Sequence, residues 1–185
     1  MRRVLRGEIT REAYVDLLRA IARIYEALEA ALDDHRAHPL LAPFDVDALR
    51  RLPALQRDLA ALGATAVDSA EIPCEVARAY VRRLHDIAAR EPARLLAHAY
   101  VRYLGDLSGG QILAGIVRRA LTLDDGVGTA FYDFAPHDVD VLKRRFRETL
   151  DALPLDAGTV DALVDEALRA FALHEALFEE LEARG

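Results

Sequence analysis

A single cysteine, Cys74, stands in a chain of 185 residues. That excludes an internal disulfide, a Cys-x-x-Cys redox pair and any cysteine-rich zinc or iron–sulfur site, and it fits a reducing compartment. Glycine (10) and proline (7) are too scarce for a collagen-like or low-complexity chain, while 52% hydrophobic and 30% charged residues suffice to bury a core. Nowhere do about 18 uncharged apolar residues run together, and the opening MRRVLRGEITRE turns charged before any apolar run of signal-peptide length. The expectation is a cytoplasmic protein with no membrane partner. Twenty-four basic residues face 31 acidic ones, a formal charge of -7 that disfavours nucleic acid as a partner for the surface as a whole. At this length one core is enough, so a single domain over residues 1–185 is expected.

The apolar residues recur at helical spacing. Tyr14, Leu17, Leu18, Ile21, Ile24, Tyr25, Leu28 and Leu32 form one stripe, with Thr10 placed to cap its start. After the prolines of HRAHPLLAPF, a second stripe of Leu49, Leu52, Leu55, Leu59 and Leu62 runs to Gly63, with Pro53 expected to kink it. Pro73 should open a third helix carrying Val76, Tyr80, Val81, Leu84 and Ile87 on one face. A fourth stretch, from Ala93 to Leu121, is apolar enough to be central. Two more follow the loop around DDGVG, near Val139 to Leu150 and Thr159 to Leu181, the last with Phe171, Leu173, Leu177, Phe178 and Leu181 as core candidates. No strand pattern and no repeat emerge, so the architecture is expected to be all-α, a multi-helix bundle around a long glycine-broken helix.

Many chemistries drop out by inspection. There is no P-loop, no dinucleotide-binding glycine fingerprint and no H-E-x-x-H, and Ser108 in GDLSGG does not match a strand-turn-helix nucleophile elbow. No histidine has a glutamate three residues before it, which removes the di-iron bundle pattern. His35 and His38 have the spacing of a metal pair, but read as solvated residues near a helix C-terminus. His85 and His98 read as helix-face residues.

The informative segment is AHAYVRYLGDLSGGQIL, from Ala97 to Leu113. Each glycine inside a helix is destabilising by about 1 kcal/mol relative to alanine, so Gly105, Gly109 and Gly110 together call for a compensating benefit. Close helix packing is one; room for a flat ligand against the backbone, with a kink, is the other. Asp106 among those glycines favours the second, because a buried carboxylate must be hydrogen-bonded to protein or ordered water.

HAYVRYLGDLSGGQIL resembles the signature of the biliverdin-forming haem oxygenases, and the similarity extends through GEITREAYVDLLRAIARIYEALEAAL, RAHPLLAPF, YVRRLHDI, LKRRFRETLDAL and FALHEALFEELEA, covering nearly the whole chain. The resemblance implies an all-α fold that clamps haem between a proximal helix and a glycine-kinked distal helix. It implies oxidative opening of haem to biliverdin, CO and ferrous iron, using O2 and an external reductant. Gly105, Gly109 and Gly110 would leave room over the haem face, Asp106 would order the water that supplies protons, and Ser108, Tyr100 and Arg102 match the same motif. Tyr25 is a further pocket candidate, for which plain aromatic packing is an equal alternative. Lys143 and Arg147, at i and i+4, suit the two haem propionates, and Lys143 is the only lysine among the 24 basic residues. Phe171 matches an aromatic that lines the pocket. Arg118, Arg119, Arg144 and Arg145 would offer a basic patch to an electron donor of ferredoxin or flavin-reductase type, or simply a solvated face.

One departure stands out. The family's iron ligand is a histidine on a helix preceding the GEITREAY-like segment, which by alignment falls before Met1. The expected explanation is a chain that starts at an internal methionine and lacks that first helix. His174, three residues after Phe171, is the one histidine to consider as a substitute ligand. A non-catalytic haem-binding or partner-binding helical protein is the alternative reading.

Overall fold

The computed structural model describes residues 6–64 and 74–184. Among the described residues there are six α-helices, three short 3-10 turns and no strand: α1 (Arg11–Asp34), α2 (Leu52–Ala61), α3 (Glu75–Arg90), α4 (Leu95–Leu121), α5 (Val139–Asp151) and α6 (Ala157–Glu182). α1 begins where its sequence directs: Thr10 is extended and its hydroxyl accepts from the Ala13 N–H. Its whole apolar stripe is buried, and the helix packs against α2, α3, α4 and α6, which makes it the shaft of the bundle.

The start of α2 differs from expectation. Leu49 belongs to a separate 3-10 turn, Asp47–Leu49, and Pro53 sits in the first turn of α2. There its missing N–H removes a donor that would have no helical partner anyway, so it begins the helix instead of kinking it. The N–H groups of Arg51 and Leu52 at this start donate to Oε1 of Glu29 on α1, at 2.6 and 3.2 Å. Those bonds explain a buried carboxylate in the middle of α1; burial pushes its pKa up and the two N–H bonds oppose that shift. Gly63, at φ +71°, takes the left-handed conformation that ends α2. Pro73 lies outside the described residues; α3 begins at Glu75.

α4 changes character along its length. From Leu95 to Leu104 only Tyr100 reaches solvent, whereas beyond Gly105 burial narrows to Leu107, Gly110, Ala114 and Val117, a single stripe. The helix thus leaves the core at its first glycine. It stays one unbroken α-helix through Gly105, Gly109, Gly110 and Gly115. On α6, Leu177 and Phe178 are buried as expected, but Phe171 is 48% exposed and is not a core residue.

The 3-10 turn Ala130–Tyr132 joins α2 to α4. Asp58 of α2 is buried and accepts from the backbone N–H of Ala130 and Phe131, both at 2.7 Å, while Arg51 donates to the carbonyl of Asp133 at 2.6 Å. Replacing Asp58 by Ala leaves two buried donors unpaired, and urea unfolding should report a loss of about 2–4 kcal/mol. Asp58→Asn, which keeps one acceptor, should lose less; equal losses would show that the turn does not depend on both bonds.

Candidate functional site

Where α4 emerges, its glycines do different work. A Cβ built on Gly105 or Gly109 would meet nothing within 4 Å, so both face open space. Gly110 instead lies against Tyr132, whose Cδ1 would sit 3.3 Å from such a Cβ, and Gln111 donates to the Tyr132 carbonyl at 2.9 Å. Close packing therefore explains Gly110, whereas the space around Gly105 and Gly109 would admit a side chain.

Between them stands Asp106, its side chain 14% exposed. The Tyr25 hydroxyl, from α1, donates to Oδ2 of Asp106 through a short hydrogen bond. Arg102 lies one helical turn earlier, with Nη2 3.8 Å from Oδ1 of Asp106 and its guanidinium carbon 5.1 Å from the centre of the Tyr25 ring. Burial pushes the Asp106 carboxyl above its ordinary pKa; the Arg102 charge and the Tyr25 bond pull against it. Burial, followed by the Asp106 charge, holds Tyr25 protonated well above its usual range. The result is a carboxyl group of raised basicity, anchored from behind by a phenol and a cation and open on its other side. Such a group orders water and exchanges protons with it. Tyr25 also packs with Tyr103 and Phe131, at centroid distances of 5.7 and 5.8 Å, so aromatic packing and the bond to Asp106 go together.

A second polar cluster braces α4 from the opposite end. His98 is fully buried, not a helix-face residue: its Nδ1 lies 3.1 Å from the Tyr80 hydroxyl on α3 and its Nε2 3.0 Å from Oε1 of Glu166 on α6. Glu166, also fully buried, accepts from Arg83 at both oxygens and from Arg94 at 3.4 Å. Hydrogen bonds from His98 and Arg83 hold its carboxyl well below the usual range in spite of burial. Burial, with the Arg83 and Arg169 charges in support, keeps His98 below its ordinary pKa although its bond to Glu166 opposes that shift, so a neutral ring can donate from Nε2 and accept at Nδ1. Sequence reasoning missed this cluster, although Glu166 falls in the stripe of Leu163, Ala170 and Leu177, and a carboxylate in an apolar stripe is a signal in itself.

The other expected residues are placed as follows. Ser108 is exposed beside Gly109. Tyr100 lines an apolar groove of about 390 Å³ with Leu96, Leu150, Val160, Val164 and Ala167, and its ring is 6.4 Å from that of Phe146 on α5. Lys143 and Arg147 flank Phe146 in sequence; Lys143 is paired with Asp140 at 2.9 Å, and Arg147 is exposed. Direct contacts join Tyr25, Arg102 and Asp106, and extend to neither member of the α5 pair. His174 has its Nδ1 2.7 Å from Nη1 of Arg102 and its ring edge against Phe178, so ligating a metal through that nitrogen would require breaking this bond. Among the described residues no three His, Cys, Asp or Glu side chains group as a metal site. No described helix is long and apolar enough to cross a membrane.

Asp106 thus lies on a glycine-rich helix of an all-helical bundle, between two glycines that face open space, and proteins of known structure share this frame. The family profile described as "Heme oxygenase" matches residues 1–180. The chain is 41% identical over 180 residues to heme oxygenase 1 of Nostoc, covering 96% of this chain and 75% of that protein. It superposes on heme oxygenase-1 of Synechocystis in complex with heme with a TM-score of 0.92, at 38% identity over 99% of this chain and 83% of the other. For heme oxygenase-2 of Synechocystis with heme and NO the TM-score is 0.93, at 41% identity over 99% and 77%. The chain belongs to the haem oxygenase family.

If Gly105 and Gly109 are kept for a ligand and not for folding, alanine at either should stabilise the ligand-free protein by about 0.5–1 kcal/mol while weakening haem turnover. Gly110→Ala should bring no such gain, since Tyr132 must give way. Urea unfolding of the three variants tests this; destabilisation by all three would return the glycines to packing.

Proposed function

We infer that the protein works as a haem oxygenase: an enzyme that degrades haem, opening the macrocycle to biliverdin, CO and ferrous iron with O2 and electrons from an external donor protein of ferredoxin or flavin-reductase type. The observation that carries this reading is Asp106, held by Tyr25 and Arg102 between two glycines that face open space. Bound haem supplies the iron at which O2 is activated, and the protein supplies the surroundings. Gly105 and Gly109 let the macrocycle lie close to the α4 backbone, and Asp106 orders water at that face and passes it protons.

The remaining assignments come from the family resemblance, and charge and exposure suit them. Phe171, exposed on α6, offers an apolar wall. Lys143 and Arg147, one turn apart on α5, present two cations to the propionates. The Lys143 bond to Asp140 involves a carboxylate 86% exposed, and such pairs contribute little, so it is readily exchanged. Arg118 and Arg144 already have acidic neighbours in Asp125 and Glu148, so a surface for an acidic donor rests chiefly on the exposed Arg119 and Arg145. No iron ligand is assigned among the described residues. The whole forms one domain, with a single apolar cluster drawing on all six helices.

The test is anaerobic haem titration followed by O2 and reductant. Loss of the Soret band with growth of biliverdin absorbance is expected; a Soret band that persists would make the protein a carrier and overturn the reading. Asp106→Ala should bind haem within a few-fold of the parent, stop forming biliverdin and begin to oxidise peroxidase dyes, because a water anchor is lost and not a binding contact. Biliverdin formed by that variant at the parent rate would remove Asp106 from its role.

A further inference from the structure

We propose that His174 is a positioning residue of this site: acting as a hydrogen-bond acceptor, it fixes the Arg102 guanidinium and, through it, the geometry of Asp106. The proposal rests on the reading of Asp106 as the proton-handling carboxyl.

Arg102 is 3% exposed, and a guanidinium has five N–H donors, no acceptor and a permanent charge. Its Nε has no partner among the described residues, its Nη2 is 3.8 Å from Asp106, and its face lies over Tyr25. Its guanidinium meets Nδ1 of His174 at 2.7 Å and also interacts with the Tyr25 side chain. Since Arg102 can only donate, Nδ1 of His174 carries the lone pair and Nε2 carries the proton. A second proton on the ring would set two cations against each other. Burial, with Arg102 in support, keeps the ring neutral by lowering its pKa to about 3. The ring in turn is held edge-on to Phe178, 4.9 Å away at 84°, so the acceptor is fixed in space.

The consequence falls on Asp106. Without the acceptor, the anionic alternative for the guanidinium is the Asp106 carboxylate, already 3.8 Å from Nη2. A guanidinium that swings onto it forms a direct ion pair, competes with Tyr25 and draws the carboxyl pKa down. His174 holds the cation off Asp106, close enough to orient it and too far to neutralise it.

Two variants separate the acceptor from the bulk of the ring. His174→Asn sets a carbonyl oxygen close to the position of Nδ1, and His174→Leu fills the space without an acceptor. The carboxyl titration of Asp106, followed by 13C NMR in the ligand-free protein and assigned with Asp106→Asn, should move down by about one pH unit or more in the Leu variant and stay near the parent value in the Asn variant. Equal shifts in both, or a shift in neither, overturn the proposal. Should the Leu variant fail to fold, 15N shifts of the His174 ring in the unaltered protein decide: a neutral ring protonated on Nε2 at about pH 6 is required, and a proton on Nδ1 refutes it. All of these are read without haem, so failure of haem turnover alone would count against the proposed function and not against the role of His174.

Discussion

The structure is organised around keeping one carboxyl group, Asp106, at the point where the longest helix leaves the core. A carboxylate there is unfavourable unless its oxygens are bonded, and the two groups that bond or face it come from different places: Tyr25 from the middle of α1 and Arg102 from the enclosed half of α4. Both are buried within helices, so the position of the carboxyl is set by the bundle and not by a loop. The remaining buried polar contacts keep those helices in register. Glu29 ties α1 to the start of α2, Asp58 ties α2 to the turn at Ala130–Tyr132, and His98 with Glu166 ties α4 to α3 and α6. Each joins elements distant in the chain, and each would be costly to leave half made.

This arrangement accounts for the division of labour along α4. Its first half behaves as a core helix and carries Arg102; its second half has shed side chains at Gly105 and Gly109, the face at which the proposed function places the reaction. A rigid frame behind and an open surface in front are what a carboxyl needs in order to order water toward a bound macrocycle without collapsing onto its own neighbours. The 3.8 Å gap to Arg102 fits that demand: the guanidinium is near enough to oppose the effect of burial on the carboxyl.

Much of this was legible in the sequence because helices announce themselves by period. The α1 stripe and its Thr10 cap, the ends of α5 and α6, and the presence of Asp106 among glycines in an apolar run all follow from spacing and residue type. What spacing does not carry is partnership across the bundle. Tyr25 falls in a core stripe whether or not it donates to Asp106, and His98 looks like a face residue until Tyr80 and Glu166 are seen to meet it from two other helices. Pro53 is ambiguous between kink and start because both leave the same N–H missing. Phe171 fits the apolar pattern of α6 and yet faces outward, since the period gives a stripe but not which neighbours cover it. His174 presents the same problem: a histidine on a helix suggests a ligand, and only the position of Arg102 shows that its nitrogen is committed.

The most direct test of the account is a crystal structure of the haem complex. The account requires the macrocycle to lie against α4 at Gly105 and Gly109, its propionates to reach Lys143 and Arg147, and Asp106 to keep its bond to Tyr25 while contacting the ligand side through ordered water. A macrocycle seated elsewhere, or an Asp106 that leaves Tyr25 to touch the ligand directly, would contradict it.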